Sequence, residues 1–146
     1  MKAVAILLAL AACGGDGGSA VDAPPPAIDA DPTVDAPPPR EVKMSVEPLE
    51  AGEVLEAKMI GGGATSGDRA IVYLTAPSAT LDWNIHSHPD GTTITVHEEL
   101  GQMTVIYDFI PSEEAEWFLL LRNGGGVNMD VQVKIELFGA MTFGFI

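Results

Sequence analysis

Residues 127–137 read VNMDVQVKIEL, and this stretch carries the clearest structural signal in the chain. Apolar and polar side chains alternate strictly along it, so the apolar residues from Val127 to Leu137 share one side of an extended strand. A helix of the same length would spread those residues around its circumference. The stretch therefore predicts a β-strand with one buried face, and NGGG at 123–126 predicts a hairpin connection before it.

The same alternation recurs upstream, in seven shorter segments separated by turn sequences such as PDG at 89–91. These segments are residues 42–46, 53–60, 69–75, 81–86, 92–98, 102–109 and 117–122. About eight short strands without a helical period predict an all-β fold, an antiparallel β-sandwich over residues 42–146.

Three smaller features refine this expectation. Residues 112–116 could form a single helical turn, and the apolar residues 139–146 could close the last sheet edge, pack beneath it or stay exposed for a partner. Four large aromatic residues lie within strands and are expected to pack in or near the core, with a ligand-stacking surface as the alternative: Tyr73, Trp83, Tyr107 and Trp117.

The net charge of the chain limits the classes of partner that it can bind. The formal net charge is −14, and residues 42–146 hold 15 acidic and 5 basic side chains. Such a surface repels phosphate backbones, so we expect no nucleic-acid binding. An envelope protein or a cationic partner fits better, or the charge simply keeps the domain soluble.

The chain begins MKAVAILLALAAC, in which Lys2 precedes an apolar run at 3–12 that ends in Leu-Ala-Ala directly before Cys13. This run is too short to span a bilayer, which needs about 20 residues. It resembles the lipobox of bacterial lipoproteins. The resemblance implies a signal peptide at 1–12, a lipid-modified Cys13 that holds the protein to the membrane, and, because Gly14 is not Asp, an address at the outer membrane facing the periplasm or the cell surface.

A tether is expected between this anchor and the domain. Residues 13–41 are rich in Asp, Ala and Pro and contain VDAPPP twice, at 21–26 and 34–39. Proline runs favour polyproline II and spaced aspartates repel one another, so the segment is predicted to be disordered and extended. Cys13 is the only cysteine in the chain, so the domain cannot contain a disulfide.

The chain's three histidines form its one chemically suggestive cluster. His86 and His88 are two residues apart and share one strand face, expected to be the more solvated one, and His97 or Glu98 could approach them across the 89–91 turn. Two imidazoles with a third ligand could hold zinc or copper. The alternative is a surface turn whose histidines orient loops through hydrogen bonds.

The HSHP run at 86–89 is similar to that of zinc-dependent deubiquitinase-like metalloproteases. That family's Ser and Asp fall here on His97 and Leu100, so its third ligand is missing. The cupin family's His-x-His run is followed by a glutamate, and Thr92 stands in that place. We therefore expect no enzyme and no catalytic residue, and a metal-dependent hydrolase is the least favoured hypothesis.

Residues 109–123, followed by the long strand, resemble the GOLD domain, the β-sandwich of the p24 cargo-adaptor family. The shared pattern is an aromatic residue, a short acidic turn, an aromatic-rich strand ending in Asn, and an alternating strand. The resemblance implies a binding or interaction module. Together these features predict an outer-membrane lipoprotein that displays a non-enzymatic β-sandwich without a cofactor, with an envelope protein that binds zinc or copper through His86, His88 and His97 as the alternative.

Overall fold

A computed structural model describes residues 37–63 and 65–146, which form nine β-strands and one short 3₁₀ turn at Pro89–Gly91. The strands are β1 (Glu41–Leu49), β2 (Val54–Gly62), β3 (Arg69–Thr75), β4 (Leu81–Ser87), β5 (Ile94–Gln102), β6 (Thr104–Phe109), β7 (Glu114–Asn123), β8 (Met129–Phe138) and β9 (Thr142–Phe145). The predicted signal peptide, Cys13 and nearly all of the predicted tether lie outside the described residues. Among those described, no helix has the length and apolar character needed to cross a bilayer.

The predicted all-β sandwich is confirmed. The strands form two antiparallel sheets, a four-stranded sheet in the order β1-β8-β3-β6 and a five-stranded sheet in the order β5-β4-β7-β2-β9. The ninth strand is Thr142–Phe145, which pairs with β2 at the edge of the five-stranded sheet. The expectation that the apolar C-terminal residues close a sheet edge is therefore also confirmed.

The long alternating strand, β8, lies inside the four-stranded sheet between β1 and β3. Its apolar side is buried along its whole length: Met129, Val131, Val133, Ile135 and Leu137. The core is completed by the inward side chains of the other sheet, including Trp83 and Trp117, which are 1% and 2% exposed. Each fully buried apolar side chain contributes about 1.5–3 kcal/mol, so this interface holds the sheets together.

One local expectation is wrong. Residues 112–116 form no helical turn, because β7 begins at Glu114, which pairs with Gly62 on β2. At the end of β1, Pro48 continues the strand to Leu49 and lies opposite Asp130. A proline is tolerated there because β1 is an edge strand, where a missing N–H donor breaks no ladder.

The alternation of β1 is oriented in an unusual way. Val42, Met44 and Val46 point away from the core and are 46%, 77% and 60% exposed. The opposite side of the strand carries Lys43, whose Nζ donates to the carbonyl oxygen of Phe143 on β9 at 2.7 Å. The inward lysine thus ties the edges of the two sheets together, and the apolar side of the strand is left to the solvent.

Asp68 fixes the end of the sandwich where the β2–β3 loop meets the β8–β9 turn. Its carboxylate is buried and accepts hydrogen bonds from the backbone N–H groups of Gly62 at 2.5 Å and Ala140 at 2.6 Å. The Gly62 bond is the main reason why the pKa of this carboxyl is lowered, against the opposing effect of burial. Gly139 has φ +65°, and a Cβ there would overlap this carboxylate.

We expect Asp68→Ala to lower the free energy of unfolding by about 2 kcal/mol, because it removes the acceptor of two part-buried hydrogen bonds, from the backbone N–H groups of Gly62 and Ala140. Asp130→Ala is the matched control, because Asp130 is exposed on β8 and its replacement removes the same charge. Urea unfolding followed by tryptophan fluorescence measures both variants. Equal losses for Asp68→Ala and Asp130→Ala would contradict the role assigned to Asp68.

Candidate functional site

The structure brings two of the three histidines together. His86 is near the end of β4 and His88 follows it before the 3₁₀ turn, and their ring centroids are 4.8 Å apart. The predicted shared face is therefore observed. The predicted solvation is wrong for His86, which is only 3% exposed, whereas His88 is exposed.

Phe118 is the reason why His86 is buried. The antiparallel register places Phe118 on β7 directly opposite His86, and the two rings stack with centroids 5.5 Å apart and planes inclined by 21°. His88 lies 5.0 Å from the same ring. Lys58 on β2 covers Phe118 from the other side, with Nζ 5.9 Å from the ring centroid. This part of the outer surface is thus a packed aromatic cluster.

The polar atoms of His86 have partners inside this cluster. Nδ1 lies 2.8 Å from Oδ1 of Asn84, and Nε2 lies 3.6 Å from Oε1 of Glu56. Burial lowers the pKa of His86, and neighbouring His88 lowers it further, while Glu56 opposes the shift. The ring is therefore held in its neutral form over more of the pH range than a solvated histidine.

His97 lies elsewhere. It pairs with Ile85, and its ring stacks on Tyr107 of the other sheet with centroids 4.1 Å apart and lies 5.0 Å from Trp83. Glu99 bonds to both, with one oxygen 3.2 Å from His97 Nε2 and the other 3.1 Å from Trp83 Nε1. His97 therefore belongs to an aromatic stack that bridges the sheets along their β5 and β6 edges.

The predicted three-histidine ligand set is not assembled. The ladder between β4 and β5 shifts register between Ile85 and His86, which the sequence does not reveal, and His97 is turned toward the other sheet. Glu98, the other predicted neighbour, pairs with Asn84. Across residues 37–63 and 65–146, no group of three or more His, Cys, Asp or Glu side chains is arranged to hold a metal ion.

A second candidate surface is the outer face of the four-stranded sheet, which sequence reasoning missed. Met44, Lys134, Tyr73 and Ile106 form one row across the four strands. Met44 and Ile106 at its two ends are 77% and 71% exposed. The alternation of each strand shows that two sides differ, but not that the apolar side of β1 is the outer one.

The charges on this face are satisfied by one another. Lys134 Nζ lies 2.6 Å from Oε1 of Glu136 and 4.5 Å from the ring centroid of Tyr73, whose hydroxyl donates to Glu136 at 3.0 Å. The lysine is the main reason why the pKa of Glu136 is lowered, and burial raises the pKa of Tyr73. Arg69 forms a two-bonded ion pair with Asp108 at 2.6 and 2.8 Å. The face therefore offers apolar side chains between paired charges.

We expect His86→Gln to flatten the pH dependence of stability. Because the pKa of His86 is lower in the folded state, the unfolded chain binds more protons, and stability is lost as pH falls below the unfolded value of about 6.5. Urea unfolding at about pH 7.5 and 5.5 measures this loss, which is smaller in His86→Gln than in the parent. Leu100→Gln, at an exposed position of β5 without a titratable group, is the control and keeps the parent's pH dependence. An unchanged loss in His86→Gln would refute the burial effect.

Comparisons with known proteins do not assign this chain to a family. No protein-family model matches it, and no curated protein matches it. Among solved structures it is similar to the crystal structure of Yersinia pseudotuberculosis-derived mitogen (YPM), with 8% identity and a TM-score of 0.44, over 67% of this chain and 86% of that chain. A similarity this low carries no inference about function.

Proposed function

We propose that this chain is a lipid-anchored protein of the bacterial outer membrane whose β-sandwich is a non-enzymatic interaction or structural module, related to GOLD domains. The observation that carries the proposal is the apolar run ending in Leu-Ala-Ala directly before Cys13, the only cysteine in the chain. Two or more acyl chains on that residue give stable membrane attachment, which a single chain does not.

The position of the domain in the chain supports this proposal. The compact unit begins at Pro37, and the backbone N–H of Arg40 already donates to Leu137 at 2.8 Å. Residues 14–36 are left to connect Cys13 to the domain, and in polyproline II they reach on the order of 70 Å. A spacer of that length lets the domain contact partners away from the membrane surface.

The polar clusters of the domain support a non-enzymatic role. Asp68 holds two turns, the His97–Glu99 pair joins an aromatic stack, and Glu136 neutralises Lys134. Each of these groups has a partner within the domain, and His86 is covered by Phe118 and has its pKa lowered by burial. Zinc or copper binding is not proposed as a second function, because His97 lies apart from His86 and His88.

Lipid attachment at Cys13 is tested by expressing the full chain with its own leader in a Gram-negative host. We expect the mature chain to begin at Cys13, to carry acyl chains in intact-mass spectra and to enter the detergent phase on Triton X-114 partitioning. Cys13→Ser should remain unprocessed and lose the acyl mass. A mature chain with an unmodified thiol at position 13 would refute the anchor.

The outer-membrane address gives a separate prediction at the next residue. In lipoproteins an Asp after the lipidated cysteine favours retention at the inner membrane, so Gly14→Asp is expected to move the protein from outer-membrane to inner-membrane fractions of a sucrose gradient. Gly14→Ser is the control and stays with the parent. If the parent itself is found in the inner membrane, the address is wrong and the anchor stands.

A further inference from the structure

The sheet edges of the described domain are poor sites for adding a strand from another chain. β1 and β9 are bridged by Lys43 and by Arg40, which donates to the carbonyl oxygen of Met141. β5 is interrupted by two register shifts, and β6 has only six residues. Inward charges, irregular ladders and short edge strands all oppose edge-to-edge pairing. Strand addition at these edges is therefore disfavoured, and the sheet faces are the extended surfaces that remain.

The outer face of the four-stranded sheet carries several strongly exposed apolar side chains. Met44, Val46 and Ile106 are all at least 60% exposed there. A groove of about 410 Å³ runs between β1 and β3, lined by Met44, Val46, Tyr73, Thr75, Gln132 and Lys134 among others. On the five-stranded sheet the outward ring of Phe118 is covered by Lys58 and by the rings of His86 and His88. Leu100 on its edge strand β5 is exposed.

This face is also nearly neutral in an acidic domain. Residues 42–146 have a net charge of −10, but the outward charges of this sheet are three acids and two bases: Asp108, Asp130, Glu136, Arg69 and Lys134. Four of the five are already paired across the face. A partner therefore need not supply a counter-charge for these four side chains. Two acidic domains repel each other least when they approach here.

We propose that the outer face of the four-stranded sheet is the contact surface of a homodimer. A two-fold axis parallel to the strands, between β8 and β3, places Met44 of one copy opposite Ile106 of the other, and Lys134 opposite Tyr73. The chain's own residues 14–36 are a poorer occupant, since they carry five aspartates and no basic residue. This inference rests on the proposed function, and it identifies the partner of the interaction module as a second copy of the chain.

The area of the face limits the affinity that the dimer can reach. Four strands about 4.8 Å apart and seven residues of about 3.3 Å each cover roughly 450 Å² per copy, about 900 Å² in total. This is slightly less than the roughly 1,000 Å² of a stable specific interface, so the dimer is expected to be weak and to dissociate in the micromolar range. Salt screens the repulsion between the two acidic domains and therefore strengthens the dimer.

The test is sedimentation equilibrium of the full chain at about 1 to 100 µM, in a detergent matched to the solvent density if Cys13 is lipidated. We expect a monomer–dimer equilibrium that is tighter at about 0.5 M than at 0.05 M salt. Met44→Glu and Ile106→Glu each place a charge on the face and should weaken the dimer at least about tenfold. Both positions are exposed, so the variants should fold.

Leu100→Glu is the matched control, because Leu100 lies on β5 of the other sheet and is 65% exposed. It should dimerise like the parent. A parent that is monomeric throughout, a Leu100→Glu variant as weak as Met44→Glu, or a dimer loosened by salt would each overturn the proposal. If Met44→Glu lowers the amount of detergent that the parent binds and Leu100→Glu does not, the face belongs to lipid instead. All variants are compared in the same state of Cys13, so the anchor and the dimer fail separately.

Discussion

The whole fold depends on burying one side of β8 against the five-stranded sheet. β8 pairs on both of its edges, with β1 and β3, and all five inward side chains from Met129 to Leu137 are buried. The single cysteine of the chain lies outside the domain, so no disulfide limits the unfolded state. Packing between the sheets must therefore supply the stability of the domain. The loops that connect the strands must allow the two sheets to pack face to face.

The polar side chains at the borders of the sandwich serve this contact. On one side, Lys43 reaches from β1 to a carbonyl of β9, and on the other, His97 stacks on Tyr107. At one end, Asp68 holds two turns through their backbone N–H groups. Each of these side chains contacts backbone polar groups or aromatic rings at the border of the core, where apolar side chains cannot form hydrogen bonds. The buried and half-buried polar residues of the domain thus stabilise the edges and one end of the sandwich.

The sequence predicted the parts of this structure that follow from period-two patterning. The alternation of β8 and the buried positions of Leu81, Trp83 and Ile85 could be found because each pattern is local. The position of His97 could not, because it depends on a register shift between two strands. The buried state of His86 depends on Phe118, more than thirty residues away, which the antiparallel register places beside it. The role of Asp68 depends on turns that are distant in sequence.

The two outer faces show which apolar residues the fold itself explains. Phe118 is an outward residue of the five-stranded sheet, yet it is only 9% exposed, because His86, His88 and Lys58 cover it. Met44 is an outward residue of the four-stranded sheet, on its edge strand β1, and is 77% exposed. An apolar side chain that stays in water contributes little to folding stability, since the hydrophobic effect requires its removal from water. The stability of the monomer therefore does not explain the apolar side of β1, whereas the homodimer proposed above would.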